Sequence, residues 1–323
     1  MASAAAAQLA ALTNAYKELF ATTFIGFTVS TTLYGVSVLQ TYLYFRQYTE
    51  DQWTVKTMVA TLWTFDSLTT IFVAHVLYVF VFGFLNREPE INIPWTFTAE
   101  KLLVTLITFI AQFFYAHTIW KVSLSKITTA FIVVLAVGSF GLGIYTTVHL
   151  FKNPALDSIS TRSFLIVSGL VQGLAALNDI VITGALSYYL YIRRIHSLAS
   201  SGKLIDKLVL YAVSRGTLTA IAQIMFLVLN VGVPHHQYWL PFHMAVGKLY
   251  VNSVLATLNV RQSLTQTEVQ LGPGVSQLVN QNGEKSHIGI SSKPITFAPI
   301  GVTNSTMTTV TLSRSGAPDV EQG

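Results

Sequence analysis

The chain has 323 residues, of which 52% are hydrophobic and only 10% are charged, and its mean hydropathy is +0.54. Soluble globular domains carry about 25% charged residues, so this composition excludes an ordinary soluble domain and predicts an integral membrane protein. We attribute the net charge of +5 to lysines and arginines on the cytoplasmic side, not to a nucleic-acid-binding surface. The absence of cysteine excludes disulfides and thiol sites.

Seven apolar segments are each long enough to cross the ~30 Å hydrocarbon core of a bilayer as a helix. In chain order they cover residues 19–44, 55–84, 98–120, 127–150, 162–191, 207–232 and 238–261. Proline, glycine and charged residues lie between the segments, and aromatic residues cluster at their ends, as is typical of membrane interfaces. The sequence therefore predicts an all-α bundle of seven transmembrane helices over residues 19–261, in contact with a lipid bilayer.

The two ends of the chain differ from this apolar region. Residues 1–18 are alanine-rich and lack the charged start of a signal peptide, so we expect a short lead-in to an uncleaved first helix. Residues 262–323 are rich in Ser, Thr, Gly, Gln and Pro and lack helical periodicity. This pattern predicts a disordered tail.

The distribution of basic residues predicts the orientation. Nine lysines and arginines lie near the helix ends on one side, against five on the other. The positive-inside rule places the larger group in the cytoplasm, so we predict an outside N-terminus and a cytoplasmic C-terminus. We expect the protein in the plasma membrane.

Lys248 lies about midway along the last predicted helix, where a cation costs roughly 2.5–3.5 kcal/mol on insertion scales. Its side chain lies too deep to reach the membrane surface easily, so we expect it to face the bundle interior and to have a partner. Asn252 is one turn on and Asn259 follows two turns later, so the three residues share one helix face.

Other ionisable residues fall at a similar depth. At a rise of 1.5 Å per residue, Asp66 lies about 15 Å from the cytoplasmic end of its helix, Asp179 about 21 Å, Arg215 about 12 Å and Lys248 about 20 Å. We therefore predict one balanced cluster in which Lys248 pairs with Asp66 or Asp179. Its other predicted members are Arg215, Asn178, Asn252, Gln172 and Gln223. Two interpretations remain open: a structural tie between helices, and a site for an ion or ligand.

Other sites receive less support from the sequence. A retinal-binding lysine is disfavoured because Met244, not an aspartate, precedes Lys248 by one turn, and because residues 102–120 contain no carboxylate. His149, His235 and His236 fall at the outer surface, where a metal site is a minor alternative. We predict no metal, no cofactor and no enzymatic activity. Glycine pairs such as Gly169 and Gly173 predict close helix packing within the bundle.

Five blocks of sequence resemble a large seven-helix membrane family of mushroom-forming (basidiomycete) fungi, catalogued as a domain of unknown function. They are QTYLYFRQYTEDQWTVKTMVATLWTFDSL, HVLYVFVF, LNDIVITGALSYYL, KLIDKLVLYAVSRGTLTA and GKLYVNSVLATLNVRQSL. The residues that match the pattern are Asp51, Lys56, Asp66, Asp179, Lys248, Asn252 and Asn259. The sequence departs from it at Ala116-His117-Thr118, where an arginine is common, and at Arg215, where the family pattern has an uncharged residue. The resemblance covers residues 26–264 and implies a fold and a compartment, but no activity.

Helix number, orientation and a Ser/Thr-rich tail favour a receptor-like or sensory protein, whose tail would bind a cytosolic partner. This expectation rests on analogy between folds. The alternative is a transporter or ion-coupled carrier that uses the mid-membrane charges, and a scaffold without a ligand is a third possibility.

Overall fold

The computed structural model describes residues 2–85, 92–123, 125–155, 158–159, 161–195, 199–233 and 236–280. These residues form seven α-helices, and the β-structure among them is an isolated bridge between Asn92 and Ala155. The helices are α1 (Ala2–Gln47), α2 (Trp53–Leu85), α3 (Trp95–Ser123), α4 (Lys126–Lys152), α5 (Arg162–Ile195), α6 (Ala199–Gly232) and α7 (Leu240–Asn280). The all-α prediction is confirmed.

Three helices extend beyond the segments predicted from hydropathy. The first helix begins at Ala2, because its alanine-rich start continues without a helix breaker into the apolar segment. The sixth begins at Ala199, within the expected loop, and the seventh continues to Asn280. Residues 262–280 of the expected tail are therefore helical, and good helix formers account for the first part, QSLTQTEVQL, but not for the Gly272-Pro273-Gly274 that follows it. Residues 281–323 lie outside the described residues.

Among the described residues, five helices are long and apolar enough to cross a membrane, by length and composition. The apolar stretches cover Tyr16–Gln47, Trp53–Gly83, Trp95–Ser123, Lys126–Lys152 and Arg162–Ile192, and α6 contains a shorter apolar helix, Gly216–Gly232. In each of the five, only 22–50% of the most apolar window is buried inside the bundle. Large apolar side chains such as Ile71, Val134 and Ile180 are exposed, an arrangement that suits a lipid bilayer.

Each helix contacts the next one along the chain, and α7 closes the ring against α1. Two helices also reach across the bundle: α3 contacts α5 and α7, and α7 contacts α2 as well. The seventh helix thus packs against α1, α2, α3 and α6, and most of its side chains from Trp239 to Val260 are buried. Enclosure by other helices allows α7 to carry polar residues such as Lys248 without contact with lipid.

Close packing depends on glycine at several helix contacts. A Cβ on Gly216 of α6 would lie 1.6 Å from Thr183 Oγ1 and 2.9 Å from Thr183 Cβ on α5. A Cβ on Gly169 of α5 would lie 3.2 Å from Leu227 on α6, which agrees with the predicted role of this glycine within the bundle. On α4, Gly143 packs closely against Thr105, whereas Gly141 has open space around it.

The core consists of two hydrophobic clusters, and buried polar residues lie between them along several helices. One cluster includes Val59 and Leu62 of α2 together with Ile107, Ile182 and Val251. The other includes Val73 and Phe80 of α2 together with Phe97, Phe226 and Trp239. The buried polar residues that fall between the two sets along the chain include Asp66 and Thr69 on α2, Glu100 and Lys101 on α3, Gln172 and Asp179 on α5 and Gln223 on α6.

Candidate functional site

Lys248 pairs with Asp66 inside the bundle. Lys248 Nζ lies 2.9 Å from Asp66 Oδ1, and both side chains are almost completely excluded from solvent. The ammonium also donates to the backbone carbonyl of Asp66, to Thr69 Oγ1 at 2.9 Å and to Thr70 Oγ1 at 2.6 Å. The sequence left open which aspartate Lys248 meets, and the structure places it against Asp66 on α2.

The local sequence of α2 forms the pocket for the ammonium. Thr69 and Thr70 follow Asp66 by three and four residues, so both lie over its carbonyl on one helix face. Their hydroxyls donate to that carbonyl at 2.8 and 3.0 Å, which leaves their lone pairs free to accept from the lysine. The ring of Tyr34 on α1 completes the pocket, with Nζ 5.0 Å from its centroid. Oxygen atoms therefore face all three ammonium protons.

The other polar residues on this face of α7 bind the backbone of α1. Asn252 Nδ2 donates to the carbonyl of Leu33 at 2.9 Å, and Asn259 Nδ2 donates to the carbonyl of Gln40 at 2.8 Å. Tyr48 returns a hydrogen bond from α1 to the carbonyl of Asn259. The predicted polar stripe of α7 is thus a contact with α1 and α2, and Asn252 lies close to Lys248 without binding its side chain.

Asp179 belongs to a second network, centred on Tyr250. The Tyr250 hydroxyl donates to Asp179 Oδ2 at 2.8 Å and accepts from Nε2 of Gln223 and, at 3.4 Å, from Nε2 of Gln112. Gln223 Nε2 also lies 3.5 Å from Asp179 Oδ2. Tyr250, Gln223, Gln112 and Asp179 are all at most 1% exposed and come from four different helices. Sequence reasoning missed Tyr250, because a tyrosine within a membrane helix is ordinarily assigned to packing.

The predicted single cluster is therefore two separate sites. Lys248 and Tyr250 are two residues apart on α7, and at about 100° per residue their side chains point about 200° apart. Lys248 faces α2 and Tyr250 faces α3, α5 and α6. The prediction grouped Asp66 with Asp179 because both lie at a similar depth in the membrane. Depth along a helix does not determine the direction in which a side chain points.

No described hydrogen bond joins the side chain of Asn178 or Arg215 to either site. Asn178 is fully buried on α5, and neither its Nδ2 nor its Oδ1 has a hydrogen-bond partner within the described part of the chain. The backbone of Arg215 belongs to α6, but its side chain lies outside the described residues. Membership of Arg215 in a cluster stays a prediction.

A third polar site joins α3 and α7. His243 Nε2 lies 3.1 Å from Glu100 Oε2, and these two side chains are 3% and 2% exposed. Lys101, the next residue, is 7% exposed. Sequence analysis placed Lys101 near the outer end of its helix and found no carboxylate in the interior of helix three. The position of Trp95 could have predicted this site. An interfacial tryptophan marks the point where a helix enters the membrane, and Glu100 and Lys101 both follow it.

Two of the other described histidines have separate partners, whereas the buried Nδ1 of His149 has none among the described residues. His236 Nδ1 lies 2.8 Å from Glu18 Oε2, which joins the loop before α7 to α1, and His75 Nδ1 lies 3.0 Å from Thr96 Oγ1. The described residues contain no group of three or more His, Cys, Asp or Glu residues that could hold a metal ion. His235, one of the three histidines considered for an outer metal site, lies outside the described residues.

A narrow crevice of about 30 Å³ runs along α3 inside the bundle. Its wall on α3 extends from Lys101 to Gln112, about 16 Å at 1.5 Å per residue. The facing wall includes Ser139 of α4, Gln172 of α5 and His243 of α7. This crevice places the Glu100–His243 pair at one end and Gln112, which contacts Tyr250, at the other.

A family model described as a family of unknown function (DUF6534) matches residues 175–263. The match covers the second half of α5, all of α6 and the part of α7 that lies in the bundle. It includes the positions of Asn178, Asp179, Arg215, Lys248 and Asn252, whereas Asp66 lies outside it. The prediction of a domain of unknown function is confirmed over this stretch. No curated protein and no solved structure matches the chain.

Proposed function

We propose that this protein is a seven-span membrane protein of the plasma membrane, with its N-terminus outside and its C-terminus in the cytoplasm. Helices α6 and α7 have 34 and 41 residues, enough to cross the ~30 Å hydrocarbon core. Polar residues of α7 such as Lys248 and Tyr250 are enclosed by other helices and need no contact with lipid. Low apparent hydropathy of α7 is therefore compatible with a seventh span.

Within this topology, a receptor-like or sensory role without enzymatic activity is the function that the geometry supports best. The observation that carries it is the enclosure of the Lys248 ammonium by oxygens of α2. A carrier that moves a solute past Lys248 requires space beside it, whereas this side chain is 2% exposed and its protons are all in contact with oxygen. A contact that joins two helices through one charge pair is suited to a switch, because a ligand that separates α2 from α7 must break it.

The test uses the purified chain in proteoliposomes, compared with a chain that ends at Asn280. A receptor-like protein recruits a cytosolic partner to the vesicles through residues 281–323, and neutralising the pair with Lys248→Met and Asp66→Asn changes that recruitment. Solute flux should equal that of empty vesicles. A flux that Lys248→Met abolishes, or recruitment that persists without the tail, would overturn the proposal.

A second candidate, an ion-coupled carrier, is favoured by the crevice along α3. A polar space that contacts Lys101, Gln172 and His243 is a feature expected of an ion pathway rather than of a purely structural contact. Flux of a small ion, sensitive to substitutions at these three residues and not at Lys248, would support the carrier over the receptor.

A further inference from the structure

Lys101 is a buried cation whose ammonium makes no hydrogen bond within the described part of the chain, although it contacts the crevice along α3. Its nearest opposite charge is Glu100, and the carboxylate of Glu100 is bound to His243. A buried charge without hydrogen-bond partners is costly, so this end of the crevice requires an occupant that accepts hydrogen bonds from an ammonium.

Two further side chains line the same crevice. Nδ1 of His243 is buried without a hydrogen-bond partner among the described residues, and no hydrogen bond joins the amide of Gln172, 8% exposed, to another described residue. The three groups come from α3, α5 and α7 and meet at one cavity. Lys101 and Gln172 offer N–H donors, and His243 offers a third when its ring is protonated.

We propose that the crevice binds one small inorganic anion of the halide class beside Lys101, together with one proton on His243. With neutral His243, the charges of Glu100 and Lys101 already cancel. Protonation of His243 adds one positive charge, and one monovalent anion neutralises it. Anion binding and proton binding therefore favour each other by the same factor.

The size of the crevice selects the class of anion. A volume of roughly 10–15 Å³ holds one water, so about 30 Å³ accommodates a monatomic anion in place of a few waters and leaves no room for sulfate, phosphate or an organic acid. At the far end, Gln112 directs Nε2 to Tyr250, and its buried Oε1 has no partner among the described atoms. Water can donate a hydrogen bond to this oxygen, whereas a halide cannot, so the anion occupies the Lys101 end of the crevice.

The charged and titratable groups around His243 are few. On α3 they are Glu100 and Lys101. On α2, His75 is bound to Thr96, and Asp66 is bound to Lys248 of α7. Phe226 of α6 and Trp239 place aromatic rings 5.9 Å from the imidazole, and α1 presents Gly26 to Pro241 and Met244 at this level. The proton that accompanies the anion is therefore assigned to His243 within the Glu100–Lys101 pair.

This inference goes beyond the proposed receptor-like function and does not rest on it. The experiment measures the melting temperature of the full chain in detergent at fixed ionic strength, with sodium chloride or bromide replacing sodium gluconate. Chloride and bromide should raise the melting temperature with saturation. Apparent halide affinity should increase by up to about tenfold for each pH unit lowered, because one proton accompanies each anion.

Variants separate the parts of the proposal. Lys101→Met should abolish the halide response, whereas Lys152→Met, at an exposed position, should keep it. His243→Gln should bind halide with a weaker pH dependence than the unchanged chain. Gln172→Glu keeps Lys101 and adds a negative charge, so it should abolish binding at pH 7.5 even if Lys101→Met does not fold.

Two results would overturn the proposal. One is a folded wild-type protein whose melting temperature is the same in chloride, bromide and gluconate, which would mean that the crevice holds water only. The other is a halide response that Gln172→Glu and Lys101→Met leave unchanged, which would place any anion elsewhere.

Discussion

At the scale of single residues, hydrogen bonds between polar side chains join the helices inside the bundle. Lys248 donates to oxygens of Asp66, Thr69 and Thr70, and Tyr250 uses its hydroxyl both as a donor and as an acceptor. Burial of a polar group costs little free energy when hydrogen-bond partners replace water. Removal of one partner leaves the other buried and unpaired, which is destabilising. Single substitutions at these positions should therefore cost more than matched double substitutions.

Lys248→Met should leave Asp66 as an unpaired buried carboxylate. Removal of one member of a buried pair typically costs about 3–5 kcal/mol, so the melting temperature in detergent should fall by roughly 5 °C or more. The double variant Lys248→Met with Asp66→Asn should recover most of the loss.

The matched control for this cycle is Lys248→Met with Asp179→Asn, which should recover nothing because Asp179 is bound to Tyr250. If Lys248→Met alone melts at the wild-type temperature or above, the charge pair contributes nothing to folding. Its retention would then indicate a function other than stability.

Tyr250→Phe should be destabilising although it removes only one oxygen atom. The substitution deprives Asp179, Gln223 and Gln112 of a shared partner, and each unsatisfied buried polar group costs about 1–3 kcal/mol. Tyr145→Phe serves as the control, since this tyrosine of α4 is 58% exposed. Equal melting temperatures for Tyr250→Phe and Tyr145→Phe would show that the Tyr250 hydroxyl does not stabilise the network around Asp179.

At the scale of helices, α7 packs against four of the other six: α1, α2, α3 and α6. One of its faces binds the backbone of α1 through Asn252 and Asn259, and another meets Tyr115 of α3 through Ser253 and Thr257. The contact between α5 and α6 depends instead on close approach at Gly216 and Gly169. Small residues permit such contacts in membranes, where apolar burial between helices contributes little.

Gly216→Ala should destabilise the α5–α6 contact. The new methyl would overlap the short, β-branched side chain of Thr183, which has little freedom to move away. Gly184→Ala on α5 is the control, because a methyl group there would have no atom within 4 Å, and alanine favours helix by about 0.5–1 kcal/mol over glycine. Melting temperatures should shift in opposite directions, and a stabilising Gly216→Ala would contradict the close approach of α5 and α6.

At the scale of the whole molecule, exposed apolar side chains surround a helical bundle that buries Asp66, Asp179 and Lys248. This distribution suits a bilayer, and the topology proposed above follows from the count of basic residues at the helix ends. The absence of cysteine makes the topology simple to test, since a single introduced thiol is the only one in the chain.

In intact cells, a membrane-impermeant maleimide should label Ala155→Cys, in the connection after α4, and should not label Gln52→Cys, between α1 and α2. Both positions are exposed, so detergent should make both reactive. Labelling of Gln52→Cys alone in intact cells would indicate the opposite orientation. Labelling of both positions would contradict the seven-span arrangement.

The sequence by itself determined the all-α class, the approximate positions of the helices and the burial of Asp66, Asp179 and Lys248, because hydropathy and the cost of charge in an apolar medium are local properties. It did not determine the helix ends: α1 and α6 begin before their apolar segments, and α7 continues after its own. Only the tertiary structure decided which charges meet. Lys248 and Tyr250 lie on opposite faces of α7, so the direction of each side chain assigned Lys248 to Asp66 and Tyr250 to Asp179. The same arrangement brought Glu100 and Lys101 of α3 to His243, since pairing depends on how helices rotate against one another, which no single segment encodes.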